Sequence, residues 1–412
     1  METPAAAASC RRVILPETRS FLTCEPIDDT FAEVGTAAMI YASHGKDTSP
    51  GLRTQPSFYP IQVGVDTHIA TGVFGVNIRF PITCNDSEQS GKLSARNQAQ
   101  ENKVSFDLSV QLAPENKRGL LLANPVMTAS GTFGYGTEYR DVFDIQKLGA
   151  IVCKGTTLYP REGNPQPRLV ETASGVLNSI GLQNIGVEAV IREKASIWTG
   201  WQVPVIVSIA GETVDEYTQV AGKLDGVAGI RGIEVNISCP NVRAGGAAFG
   251  ANSELAAGVT AAVRAATSLP VLIKLTPSTG DIVEVAKAVV EAGADAISLI
   301  NSVRGMAIDI TGRRPTLGNV TGGLSGPAIK PLALALVYEV AGAVKVPVVG
   351  CGGITSASDA IEFIMAGASA VQVGSATFTN PRAPLDVLEG IEQFMEKEGI
   401  SKLSEIIGAA RR

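Results

Sequence analysis

Histidine is almost missing from this chain: His44 and His68 are the only two in 412 residues, and both precede residue 100. Imidazole is the usual acid–base group near neutral pH, so proton chemistry in the remaining three-quarters must use another side chain. Clustered cysteine is missing too. Cys10, Cys24, Cys84, Cys153, Cys239 and Cys351 form no Cys-x-x-Cys pair, which excludes a disulfide framework and an iron–sulfur or zinc ligand set supplied by this chain. No His/Asp/Glu cluster is visible, so no metal is expected. No uncharged apolar run approaches the ~18 residues that cross a bilayer. Met1-Glu2-Thr3-Pro4 and the alanines after it lack a basic start and a hydrophobic stretch, unlike a secretory signal. The expected compartment is cytoplasmic, and no membrane contact is expected. With a net charge of −6 and no long basic stripe, nucleic acid is not an expected partner.

What the chain has is glycine, 44 residues of it, and 45% hydrophobic residues with only 5% aromatics. That mix suits tightly turned α/β units. Residues 1–103 are rich in Thr, Ser, Pro and Asp without a sustained period, and read either as a poorly ordered extension or as a small β element around Ile61 to Ile82. They suggest no function. From Val104 the pattern becomes regular. Phe106 to Leu112, a turn at Pro114 to Gly119, and Leu120 to Leu122 read as a β-hairpin. Eight apolar runs follow: Pro125–Ala129, Ala150–Cys153, Val205–Ile209, Gly232–Asn236, Val271–Leu275, Ala296–Ile300, Val346–Gly350 and Ala370–Val373. Helical spacing recurs between them, as at Ile282, Val285, Ala286 and Val289. Eight β units alternating with helices over residues 104–412 predict a (β/α)8 TIM barrel preceded by the hairpin. A doubly wound open sheet is the alternative, but no Gly-x-Gly-x-x-Gly follows the first strand.

In such a barrel the residues after each strand line one mouth, and chemistry belongs there. The segment Asn236-Ile-Ser-Cys239-Pro240-Asn241 puts a thiol on the loop after the fourth strand. A buried structural cysteine is one reading; a thiolate that accepts a proton is the other. Lys154 and Lys274 end apolar strands, where an unpaired ammonium is costly; a salt bridge and a cation facing a flavin or an anionic substrate are the two readings. Asn178, Asn236, Asn241, Asn301 and Ser302 suit either turns or the polar edges of a planar molecule. Gly352-Gly353 and Gly374-Ser375 each lead into a predicted helix, an arrangement that favours a phosphate.

These strand ends together resemble the dihydroorotate dehydrogenases, and among them the class 1B catalytic subunits. The resemblance runs from about residue 104 to 412, through Lys154-Gly-Thr-Thr, Gly163-Asn-Pro-Gln-Pro-Arg168, Asn178-Ser-Ile-Gly-Leu182-Gln-Asn184, Asn236-Ile-Ser-Cys239-Pro-Asn, Lys274-Leu-Thr-Pro and Gly322-Gly-Leu-Ser-Gly326-Pro. It implies oxidation of (S)-dihydroorotate to orotate in pyrimidine (UMP) biosynthesis. Cys239 would be the base, hydride would pass to one FMN per chain, and Lys274 would stabilise charge on the reduced flavin. It implies FMN contacts from Ser130, Lys154, Gly155, Asn236, Lys274, Ile300, Gly326, Gly352, Gly353, Gly374 and Ser375. Ser208 stands where many class 1B sequences carry an FMN-contacting Asn. Implied substrate contacts are Lys154, Asn178, Ser179, Ile180, Gly181, Leu182, Asn236, Asn301 and Ser302. Electrons would reach NAD through a partner subunit carrying FAD and [2Fe–2S], in a heterotetramer of two catalytic and two electron-transfer chains. Cys239 in place of Ser separates the chain from class 2 enzymes; Gly181-Leu-Gln-Asn and Gly322-Gly-Leu-Ser-Gly-Pro favour 1B over the fumarate-using 1A. Rival readings are a dihydropyrimidine dehydrogenase-type FMN domain acting on uracil or thymine, and a non-catalytic phosphate- or flavin-binding barrel.

Overall fold

The near-continuous apolar runs fold as strands buried on both faces, as parallel strands covered by helices must be. In the computed structural model, which describes residues 10–14, 20–24, 106–237 and 249–411, eight parallel strands form one sheet. In chain order they are Val126–Thr128, Ile151–Val152, Val205–Ile209, Gly232–Asn236, Val271–Leu275, Ala296–Leu299, Val348–Cys351 and Ala370–Val373. The eighth pairs with the first through Val373 and Thr128. Between the first and second strands, Gly149 N–H donates to Val126 O at 2.8 Å and Thr128 N–H to Ala150 O at 3.2 Å. Those bonds close the sheet into the expected barrel, so the open-sheet alternative falls.

The expected helices form, and local chemistry sets their ends. Asn252 caps Ser253–Ala266 by accepting from Leu255 N–H, and Asp281 caps Ile282–Glu291 by accepting from Val283 and Glu284 N–H. The second of these buries Ile282, Val285, Ala286 and Val289, the stripe read from the sequence. Ser356 and Asp359 make a capping box on Ala357–Met365, and Gly399 ends Ala383–Glu398 in the left-handed conformation. Pro331 fits the first turn of Lys330–Ala343, where its missing N–H has no partner to lose.

The hairpin is shorter than predicted. Only Val110–Gln111 pairs with Leu121–Leu122, because Gln111 folds back and its Oε1 accepts from Ala113 and Leu120 N–H at 3.0 and 2.6 Å. Leu112 and Leu122 are wholly buried, and Leu120 lies near the start of the fourth barrel strand at Gly232, so the hairpin sits at the N-terminal mouth. A second sheet was not predicted. Its antiparallel strands Val303–Gly305, Gly322–Ser325, Gly175–Asn178 and Leu169–Thr172 pair in that order. They come from excursions after the second and sixth barrel strands, and place Asn178 opposite Gly323.

The chain divides into two units, 1–87 and 88–412. The described part of the first is an antiparallel hairpin of Cys10–Ile14 with Ser20–Cys24; the β element expected near Ile61 to Ile82 lies outside the described residues.

Candidate active site

All eight barrel strands send residues from their C-terminal ends into one cavity of about 360 Å3, within the size range of small-molecule sites. Ser130 follows the first strand, Lys154 and Gly155 the second; Ser208, Asn236 and Lys274 lie on the third, fourth and fifth. Ile300, Asn301 and Ser302 follow the sixth, Gly352 and Gly353 the seventh, Gly374 and Ser375 the eighth. The second sheet and its loops add Asn178, Ile180, Gly181, Leu182 and Gly326. Ser179 alone among the described candidates does not line it: it is wholly buried behind the wall, and its Oγ has no partner among the described residues. Cys239 and Asn241 lie outside the described residues. A larger cavity of about 460 Å3 opens at the opposite mouth, beside Arg118, Leu121 and Arg231. None of the described candidates lines it.

The polar groups of the upper cavity are held in place from behind. Tyr217 is buried on Val214–Leu224 and donates its hydroxyl to the carbonyl of Asn236 at 2.9 Å, anchoring the end of the fourth strand. Asn301 Nδ2 donates to Asn236 Oδ1 at 3.2 Å, and Asn301 Oδ1 accepts from Ser302 N–H at 2.7 Å. Asn178 Nδ2 donates to Gly323 O at 3.2 Å across the second sheet. Asn184 pins the loop between them. Its amide donates to Thr157 Oγ1 and Leu182 O at 2.8 and 2.7 Å, and its Oδ1 accepts from Gly186 N–H at 2.8 Å. Leu182 is thereby kept at φ +56°, a conformation that costs a bulky residue roughly 1–3 kcal/mol. This anchoring function of Asn184 was not read from the sequence, although Asn184 stands in the Gly-Leu-Gln-Asn run that pointed to the loop.

The two lysines differ. Lys154 is half-buried, and burial lowers its pKa although Glu138 opposes the shift and Arg168 adds to it. Lys274 is only 3% exposed. Burial works most strongly against its charge, yet Cys351 and the Glu234 carboxylate outweigh it and hold the ammonium above the ordinary lysine range. Lys274 Nζ donates to Gln372 Oε1 and stands 4.0 Å from Glu234 Oε2. Neither Glu234 nor Gln372 was a candidate from sequence. The one visible signal was an ionisable residue inside the apolar run Gly232-Ile-Glu-Val-Asn236.

Two features fit a flavin phosphate ester. Ser208 is wholly buried and lines the cavity, and among the described residues its Oγ has no partner, a polar atom left for a ligand to satisfy. Gly352 and Gly353 have φ of +130° and +77°. A Cβ at Gly353 would stand 2.8 Å from Lys330 N and 2.9 Å from Gly326 O, so only glycine forms this close turn on the cavity rim. Among the described residues no His/Cys/Asp/Glu group could hold a metal ion, and no helix is long and apolar enough to cross a membrane.

A family model described as dihydroorotate dehydrogenase matches residues 113–395. The chain belongs to the dihydroorotate dehydrogenase family. The dihydroorotate dehydrogenase B (NAD(+)) catalytic subunit of Pelobacter propionicus is 54% identical over 303 residues, covering 74% of this chain and 98% of the relative. The proteins of the same description from Trichlorobacter lovleyi and Desulforamulus reducens are 56% identical over 290 residues and 55% over 289. Each alignment covers 70% of this chain and 95% of the relative. The family match includes every cavity-lining strand end, from Ser130 to Ser375.

Proposed function

We propose that this chain oxidises (S)-dihydroorotate to orotate with FMN in the upper cavity, as a catalytic subunit of the NAD-linked type. The observation that carries this reading is the convergence of Lys154, Lys274, Asn178, Asn236, Asn301 and Ser302 with two glycine turns on one cavity. Two cations, amide edges and an anion-binding rim match a planar, charged substrate beside a phosphorylated cofactor.

FMN, when bound, supplies the acceptor for the substrate's hydride. Ser130, Lys154, Gly155, Ser208, Asn236, Lys274, Ile300 and Gly326 would hold its ring system and side chain. Gly352, Gly353, Gly374 and Ser375 would hold its phosphate. Ser208 Oγ would then gain the partner it lacks among the described residues. Lys274, fixed as a buried ammonium, would favour negative charge gathering in front of it, a preorganised electrostatic contribution. Asn178, Asn236, Asn301 and Ser302 would hold the substrate's amide and carboxylate edges, with the Ile180 to Leu182 loop closing over it from the second sheet and Lys154 supplying a cation. Cys239 lies three residues beyond Asn236 and would remove the proton beside the substrate carbonyl. A partner subunit bearing FAD and [2Fe–2S], in an assembly of two chains of each kind, would supply the route for electrons to NAD. The relatives' description as catalytic subunits supports that division of labour.

An anaerobic titration tests the reaction. Dihydroorotate should bleach the flavin absorbance stoichiometrically, with no NAD reduction by this chain alone. Bleaching by dihydrouracil and not by dihydroorotate would overturn the assignment in favour of a dihydropyrimidine dehydrogenase-type domain.

A further inference from the structure

The inside of a (β/α)8 barrel is normally packed with branched apolar side chains in layers, each drawn from alternate strands. Here one layer is polar. Glu234, Ser298 and Gln372 come from the fourth, sixth and eighth strands, and all three are 0–1% exposed. Glu234 Oε2 accepts from Ser298 Oγ at 2.9 Å and from Gln372 Nε2 at 2.6 Å. The Gln372 amide is therefore a relay, because its other end, Oε1, accepts from Lys274 Nζ. Among the described residues Glu234 Oε1 has no partner. A buried carboxylate with an unfilled acceptor costs stability relative to an apolar layer, so a role confined to packing is a poor explanation for it.

We propose that Glu234, acting through Gln372 and with Ser298, is a positioning residue that fixes Lys274 as a charged ammonium at the cavity floor. By this means it sets the reduction potential of the cofactor held above it. The inference rests on the FMN reading. Lys274 and Asn236 are register partners on neighbouring strands, as are Lys274 and Ser298. The lysine thus emerges directly above the polar layer, and its Nζ is drawn toward the barrel axis by the relay. Among the described residues the titratable groups facing it are Glu234 from the fourth strand and Cys351 from the seventh. A neutral layer would leave desolvation to act on the ammonium with less opposition, and a lysine so placed sheds its proton readily.

The test compares the FMN-loaded protein with Glu234→Gln across pH 7 to 10, measuring the midpoint potential of the bound flavin against reference dyes. In the parent protein no lysine-linked break is expected in this range. In Glu234→Gln a break should appear, and above it the potential should fall below the parent value. The fall should reach at least tenfold in the equilibrium between oxidised and reduced flavin, about 30 mV for a two-electron couple. Below the break the potential should equal or exceed the parent value, because an anion has been removed. Glu234→Asp should restore the parent profile. Glu234→Gln combined with Lys274→Met should show no break, while combination with Cys351→Ser should keep it. If Glu234→Gln does not accumulate as folded protein, Gln372→Met carries the test, with a break in the same direction. An unchanged profile, or an offset independent of pH, would overturn the inference alone. A chain that binds no flavin would overturn the FMN reading and this inference together.

Discussion

The two mouths of the barrel are closed by the same kind of chain and differ in what that chain leaves undone. At the N-terminal mouth a short hairpin lies against the strand starts, and the larger cavity there is bordered by exposed or paired groups: Arg118 stands 4.0 Å from Asp225 and is 46% exposed. At the C-terminal mouth the cavity is smaller, yet Ser208 keeps a buried hydroxyl with no partner among the described residues, and Leu182 is held in a left-handed backbone. Lys274 carries its ammonium there against full burial. Unfilled hydrogen bonds, strain and buried charge each cost stability, and proteins concentrate them where a ligand or reaction uses them. Volume does not distinguish the mouths; chemistry does.

The largest effect should come from Cys239→Ala. Loss of a general base costs ~10²–10⁴-fold in rate, so the rate of flavin bleaching by dihydroorotate should fall by that order with FMN retained. Cys351→Ala should cost far less, although Cys351 lines the cavity. Rapid-mixing absorbance measurements on both variants decide between the two thiols, and a larger loss in Cys351→Ala would move the base to the seventh strand.

Gly353→Ala should act on stability and cofactor together. Its φ of +77° and the 2.8 Å approach of Lys330 N leave no room for a Cβ, so a loss of roughly 1–3 kcal/mol is expected. Thermal unfolding should show it, accompanied by weaker FMN retention on gel filtration. The equivalent substitution at Gly226, whose Cβ would meet nothing within 4 Å, should leave FMN in place.

The acid limb of stability should also trace to the upper mouth. Burial pushes the Asp359 carboxyl up, but Lys330, with the amides and hydroxyls of Thr355 and Ser356, outweighs it and holds the pKa well below the ordinary carboxylate range. A depressed folded pKa gives stability that is fully present above the unfolded value of about 4. It is lost as pH falls through the folded value. Asp359→Asn should therefore cost roughly 1 kcal/mol at pH 7, in the range of a lost cap. The difference should narrow as pH falls below about 4 and close only below the folded value, and urea unfolding followed down through that range measures this. The smallest effect belongs to the lower mouth: Arg118→Ala should change stability by no more than about 0.5 kcal/mol and leave flavin binding untouched.

The sequence made the barrel legible because parallel strands buried on both faces are written as uninterrupted apolar runs such as Val205–Ile209 and Val271–Leu275. Small or polar residues after each run marked the mouth, while candidates that follow no barrel strand, Asn178 to Leu182 and Gly326, came only from the resemblance to the dihydroorotate dehydrogenases. The second sheet was not legible. Gly175–Asn178 and Gly322–Ser325 are short, glycine-bearing and partly exposed, and carry no alternation. Helix Val187–Ala189 runs through a π-helical turn at Val190–Ala195 into Ser196–Trp198, a break in period that spacing alone hides. Glu234 was missed for a different reason. A run of strand residues says which face is inward only once its partners are known, and Gln372 and Ser298 lie 138 and 64 residues away.

Hydrogen exchange on the FMN-loaded chain, with and without saturating orotate, compares the mouths most directly. Orotate should slow exchange at the amides of Asn178 to Leu182 and of Asn301 and Ser302, with Arg118 to Leu121 and Arg231 unchanged. Protection centred on Arg118 to Leu121, with the upper loops unaltered, would contradict it.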